Sequence, residues 1–161
     1  MGLQEWGQDN QGWGEAVSFK AQGRFHIILR GHDGKVKEEF YTPNLVVTTG
    51  KNMLAGILTG ASTPFARNLA IGTGTTTPVV GDTVMTSEQG TRVSALFAIT
   101  ANTAYYTGIF TANNPATQQT IAEYGLFSLN AVGYMFVHST APAIVKATAD
   151  SLELQYQIAI T

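Results

Sequence analysis

Ser151-Leu152-Glu153-Leu154-Gln155-Tyr156-Gln157-Ile158-Ala159-Ile160 is the stretch that decides the fold. Leu152, Leu154, Tyr156, Ile158 and Ile160 point one way, and Glu153, Gln155 and Gln157 the other. This period of two is that of a strand with one face on a core. The same reading carries back along the chain. Gly133–His138, Gln119–Ser128 and Ala104–Thr111 read as strands, Val145–Thr148 as a short one, and Ala112-Asn113-Asn114-Pro115 as a turn. In Val93–Thr100, Val93, Ala95, Phe97 and Ile99 alternate with Ser94, Leu96, Ala98 and Thr100.

Nearer the N-terminus, Phe25, Ile27 and Leu29 share one strand face, with His26 opposite. Gly31-His32-Asp33-Gly34 is a hairpin signal, because Asp-Gly supplies the unusual φ values of a tight turn. The return strand Lys35–Tyr41 is charged on both faces, as suits an exposed edge or projecting ribbon. Pro43 breaks it, Asn44–Thr48 begins another apolar run, and Asn68–Ile71 reads as a short strand. One helix is expected at 49–58, capped by Thr48 or Thr49, with Leu54, Ile57 and Leu58 on one face and Gly60 at its end. Gly72–Gln89 is a long Gly/Thr/Pro-rich loop, of a length that is uncommon unless functional or held by a partner. The expected fold is all-β, a β-sandwich with the jelly roll among its topologies. Residues 1–22 form an extended N-terminal arm carrying Trp6 and Trp13, and residues 23–161 a single domain.

Composition narrows the function classes. Charged residues are 12% of the 161, about half the usual share. Val93–Thr161 holds one basic residue, Lys146, and three acids, Glu123, Asp150 and Glu153. A surface of Thr, Ala and Gln is unusual for a monomer, which stays soluble by charge. It suits a protein packed against other protein. A net charge of −2 gives no electrostatic case for nucleic acid or an anionic membrane. There is no cysteine, no apolar run of about 18 residues, and no visible signal-peptide pattern.

Sites of chemistry are not expected. Gly72-Thr73-Gly74 lacks the third glycine, or the Gly-Lys-Ser/Thr, of a phosphate loop. His26, His32 and His138 lack metal-ligand spacing and read as structural. No catalytic residue, cofactor or metal site is assigned. Glu123 is expected to share a strand face with Ile121 and Phe127 and to be partly buried. A buried carboxylate needs a partner, and Arg92 is the candidate for a structural ion pair.

Three segments carry a resemblance. They are Asn44-Leu45-Val46-Val47-Thr48-Thr49-Gly50 leading into the helix, Leu69-Ala70-Ile71-Gly72-Thr73-Gly74-Thr75-Thr76-Thr77-Pro78 ending near Gly81-Asp82-Thr83, and Ile121-Ala122-Glu123-Tyr124-Gly125-Leu126-Phe127. In this order, followed by Pro142 and a strand after Asp150, the chain resembles small β-rich structural proteins of tailed bacteriophages, of the head-decoration or tail-fibre-like kind. The resemblance covers roughly residues 44–160. It implies a virion component. With no repeats beyond the β-domain, a capsid cement protein on the outer capsid surface is favoured. Such a protein bridges major capsid protein subunits and associates with itself as a dimer or trimer. For that role the expected capsid contacts are Trp6, Trp13, Phe19, Thr75, Pro78 and Val80. Within the motifs, Gly125 is expected to permit close strand packing or a bulge, and Gly72 and Gly74 a sharp exit into the loop. The alternatives are a tail, neck or baseplate/fibre adaptor of similar fold and, of another class, a glycan-binding module using Tyr105, Tyr106 and Tyr134.

Overall fold

The computed structural model describes residues 20–61, 65–129 and 131–161. The strands are β1 (Ala21–Arg30), β2 (Val36–Pro43) and β3 (Leu45–Val46), then, after helix α1 (Thr48–Leu58), β4 (Asn68–Gly72), β5 (Glu88–Ser94), β6 (Leu96–Thr100), β7 (Thr103–Phe110), β8 (Gln119–Phe127), β9 (Met135–Lys146) and β10 (Ser151–Ile160). They pair antiparallel in two five-stranded sheets, ordered β2-β1-β10-β7-β6 and β3-β9-β8-β4-β5.

The alternating C-terminal stretch sits at the centre of the first sheet, between β1 and β7. Phe25, Ile27, Leu29, Leu152, Leu154 and Tyr156 pack against Leu69, Ile71, Ile121, Leu126 and Val137 of the second sheet, all of them buried. The Phe25 and Tyr156 rings lie 4.8 Å apart. This is the expected all-β sandwich. Its topology is rich in hairpins: β1–β2, β4–β5, β6–β7 and β8–β9 each keep successive strands side by side in one sheet. The charged return strand is β2, at the edge of the first sheet, as its sequence requires.

Several expectations need correcting. Val93–Thr100 is not one strand. It breaks at Ala95, and the chain crosses from β5 in the second sheet to β6 in the first. The two stretches expected at 133–138 and 145–148 are the ends of one long strand, β9, which runs only from Met135 to Lys146 and carries Pro142 through. The first strand begins at Ala21, so Ala21 and Gln22 belong to the domain and not to the arm. In α1 the N-cap is Val47 with no side-chain cap bond. The Thr48 and Thr49 hydroxyls bond the carbonyls of Val80 and Met135 instead. Gly50 and Met53 form the buried face, while Ile57 and Leu58 are exposed. Leu54 packs against the core as expected, and Gly50 lets the first turn approach β9, because a β-carbon there would collide with the Phe136 carbonyl. Gly60, at φ +69°, ends the helical region as expected.

The structure makes the second half of the chain more neutral than its sequence suggests. Of the four charged residues in Val93–Thr161, Glu123, Lys146 and Asp150 are buried, and Glu153 is half-buried near Arg30. Lys146 donates to the carbonyls of Thr111 (3.2 Å) and Asp150 (2.9 Å). Burial pushes its amine below the ordinary value, against the pull of Asp150.

Candidate functional site: a loop clamped by a buried acid–imidazole–acid bridge

A bulge in β8 between Ile121 and Glu123 decides where the carboxylate points. Ile121 turns into the main core, while Glu123 and Phe127 turn to the opposite face of the second sheet. Glu123 shares its face with Phe127 as expected, but not with Ile121. That outer face would be open to water, yet Glu123 is 0% exposed, because the segment from Thr73 to Ser87 folds over it. Val47, Ala70, Met85, Phe127 and Met135 form a small second core beneath this roof.

Polar contacts hold the roof at three points. Thr86 and Ser87 donate their amides to Glu123, at 2.6 and 3.1 Å. His138, from β9, lies between two carboxylates: Nε2 is 2.8 Å from Glu123 Oε1 and Nδ1 is 2.7 Å from Asp82 Oδ2. Asp82 also accepts from the Val79 amide (2.8 Å), while its own amide donates to the Val79 carbonyl (3.0 Å), closing a turn. Thr48, at the start of α1, donates its amide (2.8 Å) and hydroxyl (2.9 Å) to the Val80 carbonyl.

Gly72 and Gly74 have a different role from the one expected. Neither has positive φ. A β-carbon at Gly72 would lie 2.6 Å from Glu123 Oε2, and one at Gly74 2.5 Å from it. These glycines make room for the carboxylate. Gly125 is of the close-packing kind, with Phe127 and Met85 filling the space a side chain would take.

The surroundings favour the charged form of the bridge. Burial works against ionised Glu123, but the His138 hydrogen bond, the Thr86 and Ser87 amides and the imidazolium charge outweigh it, so the carboxyl lies below its ordinary value. Burial also opposes a charged His138, yet its hydrogen bonds to Glu123 and Asp82, and their charges, hold the imidazole above its ordinary value. A protonated histidine donates from both nitrogens, which is what two flanking carboxylates require.

This geometry secures a loop. An imidazole acting as a base needs one nitrogen turned toward a nucleophile, and both nitrogens of His138 face carboxylates. The neighbouring Ser139 hydroxyl donates to the Pro43 carbonyl instead, at 2.7 Å. Among the described residues no group of three His, Cys, Asp or Glu is arranged to hold a metal.

The expected Arg92–Glu123 pair does not form. Arg92 forks onto Glu88, at 2.7 and 2.8 Å, and lies over the Phe127 ring, 3.5 Å from its centroid. An i, i+4 partner within its own stretch of chain takes the guanidinium, and His138 takes its place beside Glu123. Thr75 and Val80 are exposed on the clamped loop, with Pro78 half-buried beside them. Trp6, Trp13 and Phe19 lie outside the described residues. Tyr105, Tyr106 and Tyr134 do not converge: Tyr106 faces inward, 5.9 Å from Tyr156, Tyr105 stands on the outer face of β7, and Tyr134 precedes β9 of the other sheet. His26 stacks on Tyr41 and bonds Glu39 at 2.7 Å, a structural role. His138 and Asp82 were not singled out as a pair by sequence; the signal available was Asp82 inside one resembling segment and Glu123 inside another.

All three resembling segments meet here, through Thr48 at Val80, Gly72, Gly74 and Asp82 in the loop, and Glu123 beneath it. No protein-family model matches the chain, and neither a curated protein nor a solved structure matches it.

Proposed function

We propose that the protein is a structural component of a bacteriophage virion, a cement protein on the outer capsid surface that bridges major capsid protein subunits. The carrying observation is the clamped loop. Its tip presents Val79, Val80 and Val84 to solvent, while Asp82, Glu123, His138 and Thr48 fix its backbone. Apolar groups grouped in water mark a contact surface. A loop ordered before docking loses less conformational freedom on binding, so more of the contact energy appears as affinity. Buried charges in the second half of the chain leave a neutral exterior, which also favours close packing on a shell. On this reading the protein acts by burying interface area, with no chemistry, and associates with itself as well as with the shell.

The resemblance to phage structural proteins supplies the setting, and copy number tests it. Quantitative mass spectrometry of purified particles should give a ratio to the major capsid protein near one or one-half. A few copies per hundred would move the protein to a tail, neck or baseplate adaptor, and absence from particles would overturn the virion reading. Val80→Asp should leave the domain folded and abolish shell binding; retained binding would remove the loop tip from the contact.

A further inference from the structure

Two five-stranded sheets have four edges, and three of them carry protection against pairing with another chain. β2 carries Lys37, Glu38, Glu39 and Pro43. β3 is two residues long and leads at once into α1. β5 carries Glu88 and Arg92, and its pairing with β4 shifts register. Charges, proline, shortness and irregularity are the usual means of blunting an edge.

β6 has none of these. Leu96-Phe97-Ala98-Ile99-Thr100 holds no charge, proline or glycine, pairs with β7 without a register shift, and is exposed at every residue. Among the described residues no strand lies on its other side. Alternate residues of such a strand turn their amide and carbonyl groups outward.

The core side of β6 is also open. Phe97 and Ile99 stand opposite Tyr106 and Ala104 of β7, which in turn stand opposite the core residues Tyr156 and Ile158. Phe97 and Ile99 therefore point toward the core side of the sheet, yet they are 57% and 75% exposed. They line an apolar groove of about 350 Å³ with Ile57, Phe65 and Arg67. The Arg67 guanidinium lies over the Phe65 and Phe97 rings, 5.5 and 5.2 Å from their centroids.

We propose that β6 pairs antiparallel with β6 of a second copy of this chain, about a two-fold axis at Ala98. In this register Phe97 faces Ile99 and Leu96 faces Thr100 of the other copy, so all five residues overlap. Opposed residues of an antiparallel pair lie on the same face, so Phe97 and Ile99 of both copies form one apolar seam joining the two grooves. A two-fold contact sets each surface against itself, and any charge near the axis would meet its like. β6 and β7 carry no charged residue, and the one charge in the groove, Arg67, is held over the Phe65 and Phe97 rings on the core side, so the two strands themselves meet with no like charges opposed. The inference gives the self-association in the functional reading a surface. It is tested on purified protein alone, so its failure leaves shell binding untouched.

Light scattering on the full chain at about 100 μM, where standard-size interfaces are saturated, should give twice the 17.2 kDa of one copy. Ala98→Lys, on the outer face, should give a folded monomer, as should Ala98→Glu, and mixing the two should restore the dimer. The chain has no cysteine, so Ala98→Cys reports on the axis alone. It should form a disulfide-linked dimer on oxidation, while Glu39→Cys on β2 should not. A wild-type monomer or trimer overturns the pairing. So does a dimer that survives Ala98→Lys, the result expected if another surface associates. Should the charged variants fail to fold, the Ala98→Cys crosslink decides: its absence overturns the proposal.

Discussion

β2 and β6 close the same sheet at opposite ends and are built on opposite rules. β2 carries its charges outward, with Glu39 bonded to His26 at the surface; Glu38 is exposed beside it. β6 is neutral and exposed. The same division runs through the whole chain. Before Arg92 most charge lies on the surface. After it, Glu123, Lys146 and Asp150 are buried, where they fasten loops and turns. Among the described residues before Arg92 only Asp82, on His138, and Lys37, on Asp150, reach the buried charges; after it, charge mainly holds the fold.

The contrast would break if the inner charges mattered no more than the outer ones. Glu123→Ala strands the His138 imidazolium and two amides, and should lower stability by about 3–5 kcal/mol, the usual result of removing one partner of a buried pair. A urea midpoint moved by less than about 1 kcal/mol equivalent would end the clamp as a structural device. Gly74→Ala forces a methyl against the Glu123 carboxylate and should cost about 1–3 kcal/mol. Gly81→Ala, where a β-carbon meets nothing within 4 Å, should stay within about 0.5 kcal/mol. Equal effects at the two glycines would mean that the space beside Glu123 is not the constraint.

The pH dependence sharpens the same division. His138 titrates above its ordinary value of 6.5 in the fold, so its contribution is whole below that value and is lost as pH rises through the folded pKa. Glu123 titrates below its ordinary 4.5, so its contribution is whole above that value and is lost as pH falls through the folded pKa. Both are intact between 4.5 and 6.5. Denaturation midpoints should therefore decline on the alkaline side of that window as well as in acid, and His138→Gln should remove the alkaline decline. An unchanged alkaline limb in the variant would assign it to other groups. The smallest effect belongs to the outer half: Glu38→Gln on β2 should move stability by no more than about 0.5 kcal/mol, and a larger loss would show that edge charge, too, holds the fold.

Legibility followed periodicity. β1, β8 and β10 were readable because their side chains alternate between a core and the opposite face. The β5–β6 crossover was not, because alternation continues through Val93, Ala95, Phe97 and Ile99 while the chain changes sheets. A period of two records which face a residue is on but not which sheet the face belongs to. The bulge at Ile121–Glu123 was hidden for a related reason, since one extra residue inverts the facing predicted on its far side. The helix was placed correctly, and its face only in part. Leu54 packs against the core as its spacing requires, but Ile57 and Leu58 are exposed, and the closest approach is one turn earlier, at Gly50 and Met53.

For the site, sequence marks Glu123 as a partly buried acid, and the need for a partner follows from its charge. Arg92 was the choice because its charge is permanent, and it was wrong: His138, closer along the chain, takes the place. His138 reaches Glu123 because β8 and β9 are neighbours, and Asp82 reaches His138 because the loop folds back over both. Sequence by itself determined the all-β class, the charged edge at β2, the helix end at Gly60 and the neutrality of the second half, since alternation, turn chemistry and composition are local properties. Tertiary structure alone decided which carboxylates share the imidazole, why Gly72 and Gly74 lack side chains, and that β6 is the edge without protection. Each of these depends on which strands become neighbours, and long-range pairing leaves no mark in any single stretch of the chain.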